Sequence, residues 1–338
     1  MSSQSSGTAR ALKAADFEAV VAIDRLITGR SRRVFFERRL NAALADPAGF
    51  LVVATETDGA FNGFAIARMQ NGEFGYDRRA AVLDMLGVDP GSQRGGLGAA
   101  LLEAIVARMK KHDVHELRTQ VGWRDQALIA FFARAGFTLA PRQVLERGTA
   151  GGLHGSMPKS DEPDPEIAQQ RMDAGMPDHS DSGGDDFVAL AHDRTLVRSM
   201  TADDLVAIVK IDKALTGRDW RDYYQAKLKE VMDESGVRVS LVAEADERCV
   251  GFIMARADYG EFGRAEAAAI IDSIGVAPGS GRHGVASALL SQLMTNLEAL
   301  HVETARTTVN WDNLALLGFL QRCGFRPAQQ LVLLLRVT

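Results

Sequence analysis

The chain has 338 residues, a formal net charge of −5, 46% hydrophobic and 25% charged residues, values ordinary for a soluble globular protein and a length comfortable for two domains. Only Cys249 and Cys323 are present, which argues against a disulfide framework. No apolar run approaches the ~20 residues of a membrane span, and Met1–Thr8 lacks the apolar core of a secretory signal, so a cytoplasmic protein with no membrane partner is expected. The acidity is local: nine acids and two bases between Ala150 and His192 give an excess of seven negative charges, leaving the rest at +2, without the basic footprint of a nucleic-acid partner.

In chain order, a short strand at Thr8–Leu12 precedes a helix with apolar Phe17, Val20, Val21 and Ile27, which Gly29 should stop. A second helix carries Phe35, Phe36 and Leu40. Strands follow at Phe50–Glu56 and Phe61–Arg68 around an Asp58-Gly59 turn. After a Gly72-Glu73-Phe74-Gly75 turn comes a strand over Ala80–Val88, then the segment Asp89-Pro90-Gly91-Ser92-Gln93-Arg94-Gly95-Gly96-Leu97-Gly98, then a long helix with Leu101, Leu102, Ile105, Val106 and Met109. A strand at Glu116–Val121, a helix at Gln126–Ala135 and a last strand from Phe137 complete the series.

The series then repeats at an offset of 188. Asp24 matches Asp212, Thr28-Gly29-Arg30 matches Thr216-Gly217-Arg218, Val88 matches Val276, Trp123 matches Trp311 and Gly136-Phe137 matches Gly324-Phe325. A period this long indicates duplicated domains, with boundaries expected at 1–147 and 193–338. In the second copy Thr201 and Asp204 suggest a capping box. Residues 148–192, acidic and poor in large apolar side chains, read as a flexible linker.

In both halves a buried-looking strand runs into a glycine-rich turn and a helix N-terminus. Glycines there admit close approach to the backbone, and the free N–H groups with the helix dipole favour an anion, most often a phosphate. A P-loop would need Gly-Lys-Ser/Thr, and a dinucleotide fingerprint would need a glycine where Leu101 stands. What remains is Gln93-x-x-Gly96-x-Gly98 after Val88-x-Pro90, which resembles the acetyl-CoA pyrophosphate signature of the GNAT acyltransferase superfamily. The element order β-α-α-β-β-β-α-β-α-β of each half is also that of the GNAT fold. The resemblance covers nearly all of both halves and implies an α+β (α/β) architecture: two GNAT domains, each a mixed, mostly antiparallel sheet flanked by helices.

The same resemblance implies an acyl-CoA-dependent N-acyltransferase that moves an acetyl group from acetyl-CoA to a small-molecule or peptide amine without a metal; the seven His show no metal-ligand spacing. A CoA-binding regulatory or scaffold protein, with one or both halves inactive, is the alternative. The implied CoA-binding residues are Leu86, Gly87, Val88, Gln93, Arg94, Gly95, Gly96, Leu97 and Gly98, with Val276, Arg282, His283, Gly284, Val285 and Ala286 in the second half, where Gly281 replaces the expected Gln or Arg. Backbone amides near Gly87-Val88 or Gly275-Val276 are expected to meet the oxyanion. Asp84 and Asp272 lie on the strand that carries the base in many family members. Strict alternation would put Asp84 on one face with Leu86 and Val88, and the open alternative is a buried salt bridge with Arg68 or Arg256. Glu73 and Glu261 are further candidates for the base, against solvated turn acids. The family's usual acid, a Tyr four residues before the Gly-Phe pair, is Phe132 or Leu320 here. Asp24 with Arg30, and Asp212 with Arg218, flank the turn that walls the acceptor site in relatives; an Asp–Arg pair holding the turn is the plainer reading. Trp123, Trp311 and Cys323 read as packing residues. An internal pseudo-dimer, with further oligomerisation open, is expected from the duplication.

Overall fold

The computed structural model describes residues 8–70, 79–150, 196–229, 239–259, 267–281 and 284–337. Glu73, Glu261, Arg282, His283 and the linker from 151 onward lie outside the described residues. The first half runs β1 (Thr8–Ala11), α1 (Phe17–Thr28), α2 (Arg33–Ala45), β2 (Phe50–Thr57), β3 (Ala60–Gln70), β4 (Ala80–Val88), α3 (Leu97–Lys111), β5 (Glu116–Gly122), α4 (Gln126–Arg134), β6 (Thr138–Leu139) and β7 (Arg142–Gly148). The second runs β8 (Leu196–Ser199), α5 (Leu205–Thr216), α6 (Arg221–Lys229), β9 (Leu241–Ala245), β10 (Arg248–Tyr259), β11 (Ala267–Val276), α7 (Val285–Ala299), β12 (Thr304–Asn310), α8 (Leu314–Arg322), β13 (Arg326–Pro327) and β14 (Gln330–Arg336). This is the expected α+β order in both halves. Among the described residues no helix is long and apolar enough to cross a membrane.

Local chemistry sets the helix ends. Gly29 and Gly217 stop α1 and α5 at φ 71° and 75°, a left-handed conformation that glycine adopts without a Cβ clash. The Thr201–Asp204 capping box is present ahead of α5, with the Thr201 N–H donating to the Asp204 carboxylate at 2.8 Å. Asp125 accepts from the Leu128 N–H at 3.0 Å to cap α4, and Asn313 does the same for α8.

Each half buries two apolar layers against its sheet. Leu101, Leu102, Ile105 and Met109 of α3 pack on Leu51, Val53, Leu83 and Leu117, while α1 and α2 cover the other face through Val20, Ile23, Phe36 and Leu40 on Phe64, Ile66 and Met85. The second half repeats both layers, with Leu289, Leu293 and Met294 in one and Ile208, Tyr224 and Phe252 in the other.

The sheets themselves are exchanged. One seven-stranded sheet has the order β1-β2-β3-β4-β5-β14-β6, the other β13-β7-β12-β11-β10-β9-β8. The last strand of each half therefore completes the sheet of the other: β14 pairs antiparallel with β5 (Gln330↔Gly122 to Arg336↔Glu116), and β7 with β12 (Arg142↔Asn310 to Gly148↔Thr304). The two ladders are the same ladder displaced by 188, the reciprocal pattern of an isologous contact. The chain stays ordered past the expected boundary. Gly148, which composition assigned to the linker, is in register with Thr304 in the second sheet, and buried Thr149 beside it donates to the Val302 carbonyl at 2.6 Å.

Trp123 and Trp311 are not core residues. They are 51% and 58% exposed, because each stands just past the end of β5 or β12, where the sheet no longer covers it. Their backbone N–H groups donate to the Gln329 and Pro141 carbonyls at the entrance to the exchanged strands. Cys323 is half-buried, and burial pushes its thiol pKa up, as suits a packing residue.

Candidate active site

In each half the sheet opens into a fork. The parallel ladder between β4 and β5 covers Ala81↔Leu117 and Val82↔Arg118, and that between β11 and β12 covers Ala268↔Thr304 to Ile270↔Arg306. Both strands continue beyond, and the last link is a side chain: the Thr119 hydroxyl donates to the Leu83 carbonyl at 3.1 Å, and Thr307 to Ile271 at 3.0 Å. Past that point, among the described residues, the N–H groups of β4 that point away from β3 have no strand to pair with.

The glycine turn closes the end of β4. The Asp89 carboxylate accepts from the Gly91 N–H at 2.8 Å, and the Gln93 amide donates to the Val88 carbonyl at 3.3 Å. Arg94 and Gly96 both have positive φ, 67° and 81°. Gln93, Arg94, Gly95 and Gly96 are exposed, while Leu97 is buried in the α3 core and anchors the helix behind them. A Cβ built at Gly96 would meet nothing within 4 Å, so the space over this backbone is open, as a phosphate cradle at a helix N-terminus requires. Gly87 has a different reason to lack a side chain: a Cβ there would stand 2.6 Å from the Phe64 ring. Leu86 packs half-buried against the α3 layer, and Val88 is buried in it.

On its described residues the second turn keeps the backbone course and lacks the two bracing side chains. Gly284 has φ 75° and opens α7, Val285 is buried, and Ala286 and Val276 are half-buried. However, Ala277 replaces the Asp89 carboxylate, and Gly281 replaces Gln93.

Asp84 stands at a β-bulge. Ile66 pairs with Met85 and Ala67 with Leu83, so Asp84 is the extra residue; Asp272 is the extra residue between Ser273 and Ile271. The bulge breaks the alternation that would have put Asp84 with Leu86 and Val88. Those two face α3, whereas Asp84 faces α2 and is held by Arg68 at 2.5 and 3.1 Å, with Arg39 of α2 at 3.6 Å. The salt bridge with Arg68, the alternative in the sequence, is thus formed. Asp272 has looser partners, Arg256 Nε at 3.4 Å and Lys227 Nζ at 3.5 Å, and its Oδ2 accepts no hydrogen bond among the described residues.

The turn acids also find different partners from those expected. Asp24 is buried and paired through both oxygens with Arg32; the Arg32 guanidinium also lies over the Phe35 and Phe36 rings, 5.4 Å from each centroid. Arg30 is exposed on the far side of the turn, because Gly29 reverses the chain and carries the next side chain outward. In the second half Trp220 takes the position of Arg32. Asp212, 1% exposed, has no hydrogen-bond partner on either carboxylate oxygen among the described residues, and burial pushes its pKa up. The Tyr224 and Thr216 hydroxyls lie near enough to oppose that rise without bonding geometry to the carboxylate. Arg218 is exposed, like Arg30. Phe132 and Leu320, at the family's Tyr position, are buried in the cores.

Sequence reasoning missed the cleft between the halves, a cavity of about 150 Å³ lined by both forks and by the exchanged strands. It contains Asp84 and Asp272 but none of the turn residues Gln93–Gly98. The offset of 188 could have pointed to its paired cations; only the strand exchange brings them together.

Comparison with known proteins fits this geometry. The model of the acetyltransferase (GNAT) family matches twice, over residues 17–137 and 205–325. No curated protein sequence matches the chain. Among solved structures, a tandem GNAT protein from the clavulanic acid biosynthesis pathway is similar over 98% of both chains at 17% identity, with a TM-score of 0.61. A GCN5-related N-acetyltransferase from Sphaerobacter thermophilus is similar over 99% of this chain and 96% of its own at 16% identity and TM-score 0.56. A glucosamine N-acetyltransferase region of a fungal multi-domain GH3 β-N-acetylglucosaminidase matches at 13% identity and TM-score 0.61, and this chain covers 38% of that protein. With the family model matched in each half and the fold shared at full length with a tandem protein, the chain belongs to the acetyltransferase (GNAT) family, as a duplication of two GNAT domains.

Proposed function

We propose that the protein is an acetyl-CoA-dependent N-acetyltransferase in which the first half turns over and the second serves mainly as structure. The observation that carries this is the asymmetry of the turns. The first combines an open, exposed backbone at Gln93–Gly96 with the Asp89 and Gln93 side chains that brace it; the second has Ala277 and Gly281 at those places.

The residues fit the co-substrate. The N–H groups of Gln93–Gly98 and the α3 dipole would hold its pyrophosphate, and the unpaired β4 edge past Val82 offers backbone donors near Gly87 and Val88 for a developing oxyanion. Acetyl-CoA would supply the acyl group as a thioester. The amine acceptor must lose a proton before it attacks. Asp84, with both oxygens engaged by Arg68, acts as a positioning residue that holds Arg68 and Arg39 at the fork, and water in the cleft takes the proton. With Phe132 buried where relatives carry Tyr, the leaving thiolate, of ordinary thiol pKa near ~8.5, is protonated from solvent.

Calorimetry with acetyl-CoA, and thiol release across a panel of amines, test the reading. Gly96→Glu puts volume and negative charge at the cradle and should abolish binding and turnover, while Gly284→Glu should leave both nearly unchanged. A folded Gly96→Glu variant with undiminished acetyl-CoA affinity would sink the assignment. Tight binding without thiol release from any amine would favour the scaffold reading.

A further inference from the structure

Asp24 and Asp212 hold equivalent places on α1 and α5, and their surroundings differ. Asp24 has a cation built in: Arg32 engages both carboxylate oxygens, and its guanidinium lies over the Phe35 and Phe36 rings. Phe36 and Met85 complete that layer with apolar side chains. At the offset of 188 the second half has Trp220 for Arg32, Tyr224 for Phe36 and Ser273 for Met85. The acid stays, its cation is gone, and two hydroxyls are added.

The added hydroxyls do not serve packing. The Tyr224 ring meets Phe252 at 5.6 Å and 88°, as the Phe36 ring meets Phe64 at 5.7 Å and 86°, so the phenol oxygen is an extra polar atom carried into the same core. Asp212, Tyr224 and Ser273 are 1%, 1% and 5% exposed. Among the described residues, both Asp212 oxygens and the hydroxyls of Tyr224 and Ser273 have no hydrogen-bond partner, and neither has the Trp220 indole N–H. The three oxygen-bearing side chains are neighbours. Burial and then the Asp212 charge push the Tyr224 pKa up, and the Ser273 hydroxyl opposes that rise. Buried polar groups ordinarily find partners, and a buried charge without one costs more than a hydroxyl does. A water can serve the hydroxyls, but it leaves the charge uncompensated.

We infer that Asp212, Tyr224 and Ser273 bind one monovalent cation, which does in the second half what the Arg32 guanidinium does in the first. Carboxylate and hydroxyl oxygens are ligands for a hard metal ion and acceptors for the N–H groups of ammonium, and one carboxylate balances one unit of charge. A divalent ion would bring a second charge, and among the described residues no group of three or more His, Cys, Asp or Glu gathers to offset it. Ser273 also lines the cleft between the halves, which gives the ion a way in from solvent. The Trp220 N–H is a donor and takes no part as a ligand.

The test is thermal denaturation of the full chain at pH 7 in potassium, sodium and ammonium chloride, each against tetramethylammonium chloride at matched ionic strength. Tetramethylammonium carries the same charge, but its methyl groups keep it from the oxygens and it has no N–H to donate. The site predicts a saturating rise in Tm with at least one of the three small ions, and the responding ion identifies the kind of coordination. Asp212→Asn should abolish the response and melt above the parent in tetramethylammonium chloride. Trp220→Arg, which installs the cation of the first half, should do the same. Tyr224→Phe keeps the ring and should raise the half-saturating concentration by about tenfold, the scale of losing one hydrogen-bonding group to a charge. Equal melting of the parent in all four salts would leave water or a proton as the sole occupant and overturn the inference. A response that survives in Asp212→Asn would be a general salt effect and would overturn it too. No acetyl-CoA enters these measurements, so their outcome is separate from the fate of the acetyltransferase reading.

Discussion

Gln120 and Thr308 occupy the same position in the two halves and touch each other: the Gln120 amide donates to the Thr308 hydroxyl at 3.4 Å across a sequence separation of 188. Equivalent residues meet in this way only where a chain folds against its own copy around a local two-fold. The contact lines the cleft, between the two exchanged ladders.

The exchange makes the halves interdependent. Cutting the chain at a protease site engineered between 151 and 195 should leave two fragments that co-elute on size exclusion, because each holds an inner or near-edge strand of the other's sheet. Separation under native conditions, with both fragments folded, would show that β7 and β14 can return to their own halves at little cost.

The pair Asp24 and Asp212 should respond with opposite signs. Asp24→Asn removes one member of a buried ion pair and leaves Arg32 uncompensated, a loss of roughly 3–5 kcal/mol. Among the described residues Asp212 has no such partner, and burial raises its folded pKa above the ordinary 3.8. The folded chain then binds this proton more tightly than the unfolded chain. Its contribution is most favourable below the unfolded value and is lost as pH rises through the raised one. At neutral pH the penalty is fully present, so Asp212→Asn should raise Tm there, with the gain shrinking toward zero as pH falls below about 4. Tm measured against pH for the variant and the parent decides this; a lower Tm for Asp212→Asn at pH 7 would show that the carboxylate is paired.

Asp84→Asn should act on stability first. Breaking the Arg68 pair costs roughly 3–5 kcal/mol, read as a lowered midpoint in urea. The pH profile of kcat should keep its shape. An activity that falls by about a hundredfold or more and recovers only at high pH would instead make Asp84 the general base.

Gly87→Ala should cost about 1–3 kcal/mol through overpacking, since the new methyl would meet the Phe64 ring at 2.6 Å. Gly96→Ala has open space but a φ of 81°, so its cost of about 1 kcal/mol is backbone strain. Chemical denaturation of both, with Phe64→Leu added to Gly87→Ala, separates the two causes: the second substitution should recover stability at Gly87 only.

Most of the fold could be read from the sequence because the duplication showed every signal twice. Gly29 with Gly217, the two glycine turns and the apolar spacing of α3 and α7 all fixed local elements. What could not be read was non-local. Strands β7 and β14 carry equivalent patterns, so each suits either sheet, and alternation names a face without naming a sheet. The bulges at Asp84 and Asp272 shifted the side-chain period by one residue and sent both acids to the helix face opposite the expected one. Trp123 and Trp311 looked like core residues by size alone, and the partner of Asp24 lay two residues beyond Arg30. The loop side chains that separate the two turns, Asp89 with Gln93 against Ala277 with Gly281, were legible in full.

The exchanged strands also set an order of events on the ribosome. Gly122 and its ladder partner Gln330 lie 208 residues apart (330 − 122), so the first half emerges, collapses and waits without the strand that belongs beside β5. Its own β7 is the equivalent strand nearest in sequence, so any pairing of β7 with β5 in that interval would have to be given up when β12 forms. A nascent chain that stalls or is truncated before residue 330 would therefore leave the damage in the N-terminal sheet, far in sequence from the missing residues.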